Sequence, residues 1–562
     1  MLFTVVRCAK EQNSKNDRSS SGNSHNLLYD VVINERPDTG QGFKDSDAPD
    51  VAKLDDDDSG NGGKVLARVA LGRLVGKKVV VPNLDWSPDT DFEPGTSPQQ
   101  AHGTEKRQRR NVTIFAFLGV PYAQPPVGSL RFQAPRMHSS FPADDLLTTS
   151  YKAACPQDIF SRSTLYVDVP YEFSTDEDCL YLNMSSSSRQ YPVIVFFHGG
   201  GFQTGSANDW PGHVLASKGF LSLGDQFTGN YGLMDQTMIL RWVRDNIYAF
   251  NGDAGQVTII GHGAGAASVG LHMLMKPSAG LFHAAVAMSG ADVSYHQVIT
   301  NPMLAFNNTM KLGRQMGCTQ SSLPAVWNCF LTRSPGDLID GARNMLVEYN
   351  RYAFLPVVDK NVLLDSPERM LQQKLMVSPV PYVTGVNVDD GGEVLLAERD
   401  LARVQFLIDQ KYVHYKILDY VIKRNYTTNR EPAVEAIKYE YTYWPDPADN
   451  DKVRQEFIRF ATDAYYVAPV SKAAQLRSEA GSMVFMYVNN YSITARSGAD
   501  GHRLVPDWMG VCHECDLYLL FGFPWMPKNL LPLPLQGASW SDDDRSASDT
   551  LMTMWKGFAS VR

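Results

Sequence analysis

Two apolar runs that end in glycine-rich turns constrain this chain more than any other feature. "YPVIVFFHGGGF" and "QVTIIGHGAG" are continuous rather than alternating in their apolar residues. Continuous runs of strand length belong to strands buried on both faces, as in a sheet covered by helices on either side. "FHAAVAMSG", "PVPYVTGVNVDD" and "SMVFMYVNNY" repeat the pattern, and stretches of helical period such as "YGLMDQTMILRWVRDNIYAF" lie between them. Parallel strands need such crossovers. The expected class is therefore α/β, with a mostly parallel central sheet. No period of about 20–50 residues repeats, which argues against a solenoid.

The two runs begin at Tyr191 and Gln256 in a chain of 562 residues. Residues 1–64 include "SKNDRSSSGNSHN" and "DDDDSGNGGK", too polar to bury a core, and are expected to be disordered. "KVLARVALGRLVGKKVVVPN" then resembles a pair of strands with basic turns. Residues 85–110 form a polar, proline-containing insert that ends in "EKRQRR". Arg107–Arg110 reads as a solvated basic turn, although the same residues on an exposed loop suit a furin-type protease. From residue 65 to 562 the chain is read as one large domain containing that insert.

Electrostatics gives no reason to expect a nucleic acid, since the formal net charge is -9. No apolar run reaches the roughly 18 residues of a membrane span. The opening "MLFTVVRCAKEQ" turns polar too soon for a signal peptide. Taken literally, those two facts describe a soluble chain. The cysteines point the other way. Cys155 with Cys179, and Cys318 with Cys329, are close enough in sequence for local disulfides of an oxidising compartment, or are four unrelated thiols. Cys8, Cys512 and Cys515 remain over. Sequons at Asn111, Asn183, Asn307, Asn425 and Asn490 lend some support to an extracellular setting.

Four segments carry the chemistry, in a telling order. His198-Gly199-Gly200-Gly201-Phe202 follows a strand, and glycines there let backbone N–H groups converge as an oxyanion hole requires. Gly261-His262-Gly263-Ala264-Gly265 has the frame of a nucleophile elbow, with Gly263 at the apex. "GVNVDDGG" sets Asp389 and Asp390 past a strand end, and "GVCHECDLYLLFGFP" sets His513 in a loop. Oxyanion glycines, elbow, acid, histidine is the chain order of an α/β-hydrolase.

With these residues in view, the chain resembles the type-B carboxylesterase and cholinesterase family. "FLGVPYAQPPVGSLRFQAP", "STDEDCLYLN", "HGGGF", "GNYGLMDQ" and "WVRDNIYAFNGD" carry the likeness, from about residue 65 to the last residue. The resemblance implies an α/β-hydrolase fold. It sets Gly263 in the place of the family's serine, Asp390 in that of its acid and His513 in that of its histidine, with Gly199, Gly200 and Ala264 as the remnant oxyanion hole. It also implies the bridges Cys155–Cys179 and Cys318–Cys329. No cofactor and no metal is expected.

A triad without its serine forms no acyl-enzyme, and no neighbour replaces it. His262 precedes the apex and should point away from the oxyanion glycines. Ser268 lies inside the following helix, and Cys512 and Cys515 flank His513 too closely for nucleophile–base geometry. The resemblance extends to the family's adhesion branch: neuroligins, neurotactin, glutactin and gliotactin, the last most of all. It implies a non-catalytic protein with its esterase-like domain outside the plasma membrane, at cell junctions. There it would bind adhesion or junction proteins on the same or a neighbouring cell, with self-association open. A weak esterase using another nucleophile or an activated water, and a secreted ligand-binding protein, are the competing readings. The loop from Cys155 to Cys179 offers Phe160, Tyr166, Tyr171 and Phe173 but lacks the tryptophan that cholinesterases carry there.

The chain departs from the family in three ways. It lacks a signal peptide and membrane span; it stops at "MWKGFASVR", short of the family's last helix; and "GHVLASKGFLSLGD" joins segments that the family separates by a strand and turn. The last departure predicts a sheet lacking the strand beside the oxyanion strand. We read the three together as an incomplete gene product or a splice form.

Overall fold

The computed structural model describes residues 6–7, 55–57, 63–84, 110–141, 145–158, 174–187, 190–218, 221–225, 229–319, 321–345, 352–424, 426, 428–498 and 501–560. The basic run Arg107–Arg109, the aromatic residues between Cys155 and Cys179, Asn425 and Cys8 lie outside them.

Among the described residues one sheet holds thirteen strands. In chain order they are β1 (Val6–Arg7), β2 (Asp55–Asp57), β3 (Lys64–Val69), β4 (Gly72–Leu84), β5 (Arg110–Pro121), β6 (Asp145–Leu147), β7 (Tyr181–Ser186), β8 (Tyr191–Phe197), β9 (Leu221–Asp225), β10 (Gly252–His262), β11 (Ala284–Met288), β12 (Tyr382–Asn387) and β13 (Val484–Asn489). Spatially they run β1-β13-β12-β11-β10-β8-β9-β7-β5-β4-β3-β2, with β6 beside β4. From β9 to β13 the neighbours are parallel, and from β2 to β7 the main path is antiparallel. The strand pair read from residues 64–83 is the β3–β4 hairpin, which turns through Ala70 and Leu71.

The continuous apolar runs behave as their pattern requires. In β8, Val193, Val195 and Phe197 join one core, while Ile194 and Phe196 join another on the opposite face. In β10 and β11, Val257, Ile259, Ala285 and Ala287 face the first core, and Ile260, Val286 and Met288 the second. Helices supply the outer layers. Gly229–Asn246 and Ala264–His272 cover the first core through Ile239, Trp242 and Val269. Asp542–Ser560 covers the second through Leu551, Met552 and Trp555. Each fully buried side chain of this kind contributes about 1.5–3 kcal/mol. A separate core binds the helices Gln410–Lys423, Arg430–Glu440 and Asn450–Thr462 through Ile417, Val434 and Phe457. No helix among the described residues is long and apolar enough to cross a membrane.

The gap expected beside the oxyanion strand is absent, which corrects that part of the sequence reading. β9 fills the place, parallel to β8 from Val193↔Leu221 to Phe197↔Asp225 and antiparallel to β7. Ladder hydrogen bonds need only extended backbone. The short segment "LSLGD" therefore does what a longer, valine-rich strand was expected to do.

Candidate functional site: a triad geometry with an empty apex

Strand β10 ends at His262, and the helix Ala264–His272 starts two residues later. Gly263 makes the turn at φ 56° and ψ -114°, a conformation that side chains rarely adopt. Its N–H donates to the Met288 carbonyl at 2.9 Å, which fixes the turn to β11. Gly265 lets the helix cross closely above β8, since a Cβ there would collide with the Phe197 carbonyl. This is the sharp strand-to-helix turn of a nucleophile elbow.

The other elements meet at its apex. A Cβ added to Gly263 would lie 3.2 Å from His513 Nε2 and 4.0 Å from the Gly199 Cα. His513 Nδ1 lies 2.8 Å from Asp390 Oδ1, and the second oxygen of Asp390 accepts from the Asn387 N–H at 2.8 Å. Asp390 is buried, and the His513 side chain is only 12% exposed. Gly263, Asp390, His513 and Gly199 are thus drawn to one place, with Gly200 and Ala264 next in the chain to Gly199 and Gly263. The base and its orienting acid are assembled and face a position that bears no side chain.

Electrostatics favours the protonated form of His513. Burial alone would lower its pKa, but the hydrogen bond and charge of Asp390, with Glu393 and Asp516 beyond, raise it above the ordinary 6.5. Tyr466 packs on the imidazole at 4.8 Å between ring centroids and donates its hydroxyl to Glu393 at 2.7 Å.

The His262 ring packs against that of His513, with 4.5 Å between ring centroids, rather than turning clear of the site. It is buried, with Nε2 3.3 Å from Asp516 Oδ1. Burial would raise the Asp516 carboxyl, but His262, Asn387 and His513 together pull it below its ordinary value. Asn387 ties this second pair to the first: its amide donates to Asp516 at 3.1 Å and to the Cys512 carbonyl at 2.9 Å. Ser268 is buried in its helix, where its hydroxyl accepts from the Gln236 amide at 3.2 Å.

Ligand atoms of His262, Asp390 and His513 lie within 4.8 Å of one another, so these residues are the natural candidates for a metal. Bonds of about 2.1 Å set the ligands of a tetrahedral site only about 3.4 Å apart. Asp390 is already committed to His513 and His262 to Asp516. As built, the cluster is two His–Asp pairs.

The cysteines form bridges Cys155–Cys179 and Cys318–Cys329, and a third joins Cys512 to Cys515 around His513. Sequence reasoning left this last pair open; its two-residue spacing was the available signal. Of the sequon asparagines, Asn111, Asn307 and Asn490 are exposed. Asn183 departs from the expectation. Its carbonyl accepts from the Gly119 N–H at 2.9 Å and its amide donates to Asn208 at 2.9 Å, so the nitrogen that a glycan needs is committed inside the fold. Sequence reasoning also missed Glu514, Asp516 and Tyr466. The first two lie within the quoted histidine loop, but their directions depend on the fold.

Comparison with known proteins agrees with this geometry. The carboxylesterase family matches residues 99–561. Neuroligin-like protein glit-1 of Caenorhabditis elegans is 45% identical over 89% of this chain and 72% of its own length. Neuroligin-2 of Rattus norvegicus is 31% identical over 82% of the chain, and only 60% of that relative is spanned. Acetylcholinesterase of Bungarus fasciatus is 28% identical over 79% of the chain and 74% of its own length. The elbow, the histidine–acid pair, the oxyanion turn and these matches lead to one conclusion: the chain belongs to the carboxylesterase family, within the branch of the neuroligin-like proteins.

Proposed function

We propose that this chain is a non-catalytic, cholinesterase-like adhesion protein that acts by binding other proteins. One observation carries the reading: His513 and Asp390 stand in triad geometry before Gly263, which offers no nucleophile. In a serine protease of the same logic, loss of the nucleophile costs about six orders of magnitude in rate, which is roughly 8 kcal/mol of barrier. The likeness to neuroligin-like proteins supports adhesion over catalysis. The bridges Cys155–Cys179 and Cys318–Cys329 and the exposed Asn111, Asn307 and Asn490 suit an extracellular domain. The site of action is then the plasma membrane at cell contacts, and the partners are adhesion or junction proteins on the same or an adjoining cell.

Incubating the purified protein with a chromogenic short-chain ester and a serine-directed organophosphate tests the catalytic half. Neither turnover nor stoichiometric labelling is expected, and either at ordinary esterase level ends the reading. For the adhesive half, cells displaying the domain are mixed with cells displaying candidate junction proteins, or the domain itself. Clustering specific to a partner is expected; a protein that stays in the cytosol of its native tissue contradicts it.

A further inference from the structure

Glu514 follows His513 and lies between Cys512 and Cys515. Its backbone takes φ 68° and ψ -4°, a left-handed conformation that glycine accepts freely and glutamate does not. Such a residue persists only where its surroundings over-determine it. Here the Cys512–Cys515 bridge and the hydrogen bond from the Cys515 N–H to the Cys512 carbonyl close a small ring around it. On the far side the Leu517 N–H donates to the Glu514 carbonyl.

The ring aims the side chain at the oxyanion turn. Glu514 Oε1 stands 3.2 Å from where a Cβ on Gly199 would be. The Cα of the same glycine lies 4.0 Å from where a Cβ on Gly263 would be. A side chain at position 263 and the Glu514 carboxylate therefore converge on Gly199 from two directions. Nearby, the Tyr352 ring lies where a Cβ on Gly201 would have to go.

We infer that Glu514 closes the former active site a second time, by holding a carboxylate against the glycine turn where an acyl oxyanion would otherwise develop. An oxyanion hole works by offering N–H groups to a growing negative charge. A fixed carboxylate beside it opposes that charge and takes up the space of the substrate's carbonyl. The inference deepens the non-catalytic reading and rests on it. It closes the site to a small ester or acid.

The test compares the natural chain with Gly263→Ser, Gly263→Ser/Glu514→Gly and Gly263→Ser/Glu514→Asn, using a fluorophosphonate probe. Intact mass gives the extent of labelling and time courses give the rate; thermal melts report folding. Glycine frees the left-handed backbone. Asparagine tolerates it and is one carbon shorter, which secures the test if the glycine variant folds poorly. Labelling of Gly263→Ser should be barely measurable, and removal of Glu514 should speed it by about a hundredfold, the scale of effects at oxyanion holes. Gly263→Ser labelling as fast as the double variants overturns the inference, and so do folded double variants no faster than Gly263→Ser. Labelling of the natural chain is a separate result: it defeats the non-catalytic reading, whatever Glu514 does.

Discussion

Burial by itself would push the His513 imidazole below 6.5, yet the group is held above it by Asp390, with Glu393 and Asp516 adding to the field. The sign of the linkage follows. A histidine raised in the folded state adds stability that is complete below the unfolded value near 6.5 and is lost as pH rises through its higher folded value. NMR titration of the His513 ring should place its midpoint above 6.5, and Asp390→Asn should move it down. Urea melts should show the natural chain losing part of its stability as pH rises from about 6.5 through that midpoint, with this dependence weakened in the variant. Asp390 and His513 were legible because each belongs to a short motif in a fixed chain order. Asp516 was not. It stands near His513 in sequence, but its pairing with His262 at 3.3 Å arises only when the end of β10 meets the helix Cys515–Leu520. Glu514 was hidden for the same reason: its residue type is plain, and the direction of its carboxylate is a property of the folded ring.

At the scale of elements, β9 carries a clear expectation. Leu223 pairs with Val195 on one side and Met184 on the other, so its backbone lies inside the sheet. Proline there removes a donor and strains the neighbouring strand, at a cost of about 3 kcal/mol or more. Leu223→Pro should lower the unfolding free energy measured in urea by that amount or abolish secretion of folded protein. The buried pair Arg477–Asp292 offers a second test. Arg477, on the helix Ala468–Ala480, donates to Asp292 at 2.8 Å, and both side chains are wholly buried. Its guanidinium also lies 4.8 Å from the centre of the Tyr382 ring. Arg477→Ala should cost about 3–5 kcal/mol in an equilibrium melt, because it strands a buried carboxylate. The parallel strands were legible because burial on both faces writes a continuous apolar run. β9 was not, because its role depends on which strands lie beside it, and "LSLGD" alone carries too little pattern to say so.

At the scale of the whole molecule, the bridges and sequons converge on one experiment. Non-reducing peptide mapping of protein secreted from cultured cells should find Cys155–Cys179, Cys318–Cys329 and Cys512–Cys515 joined. Glycosidase-assisted mapping should find glycan at the exposed Asn111, Asn307 and Asn490 and none at Asn183, whose amide is already engaged. Free thiols at all six cysteines would remove the residue-level case for an oxidising compartment.

The position of β9 has a further consequence, for the way this protein comes apart. On one side of it the sheet is an antiparallel meander, and on the other it is the parallel half that carries the elbow. Among the described residues the ladder passes between the halves through β9, Leu221–Asp225, which meets β7 from Ser222 to Gly224. The apolar core is less easily divided: Phe117, Leu182 and Met184 from the meander pack in the same cluster as Val193 and Val195. Cooperativity between the halves is thus carried by side-chain packing more than by the ladder. Loosening that packing, rather than breaking the short seam, would separate a single unfolding transition into two.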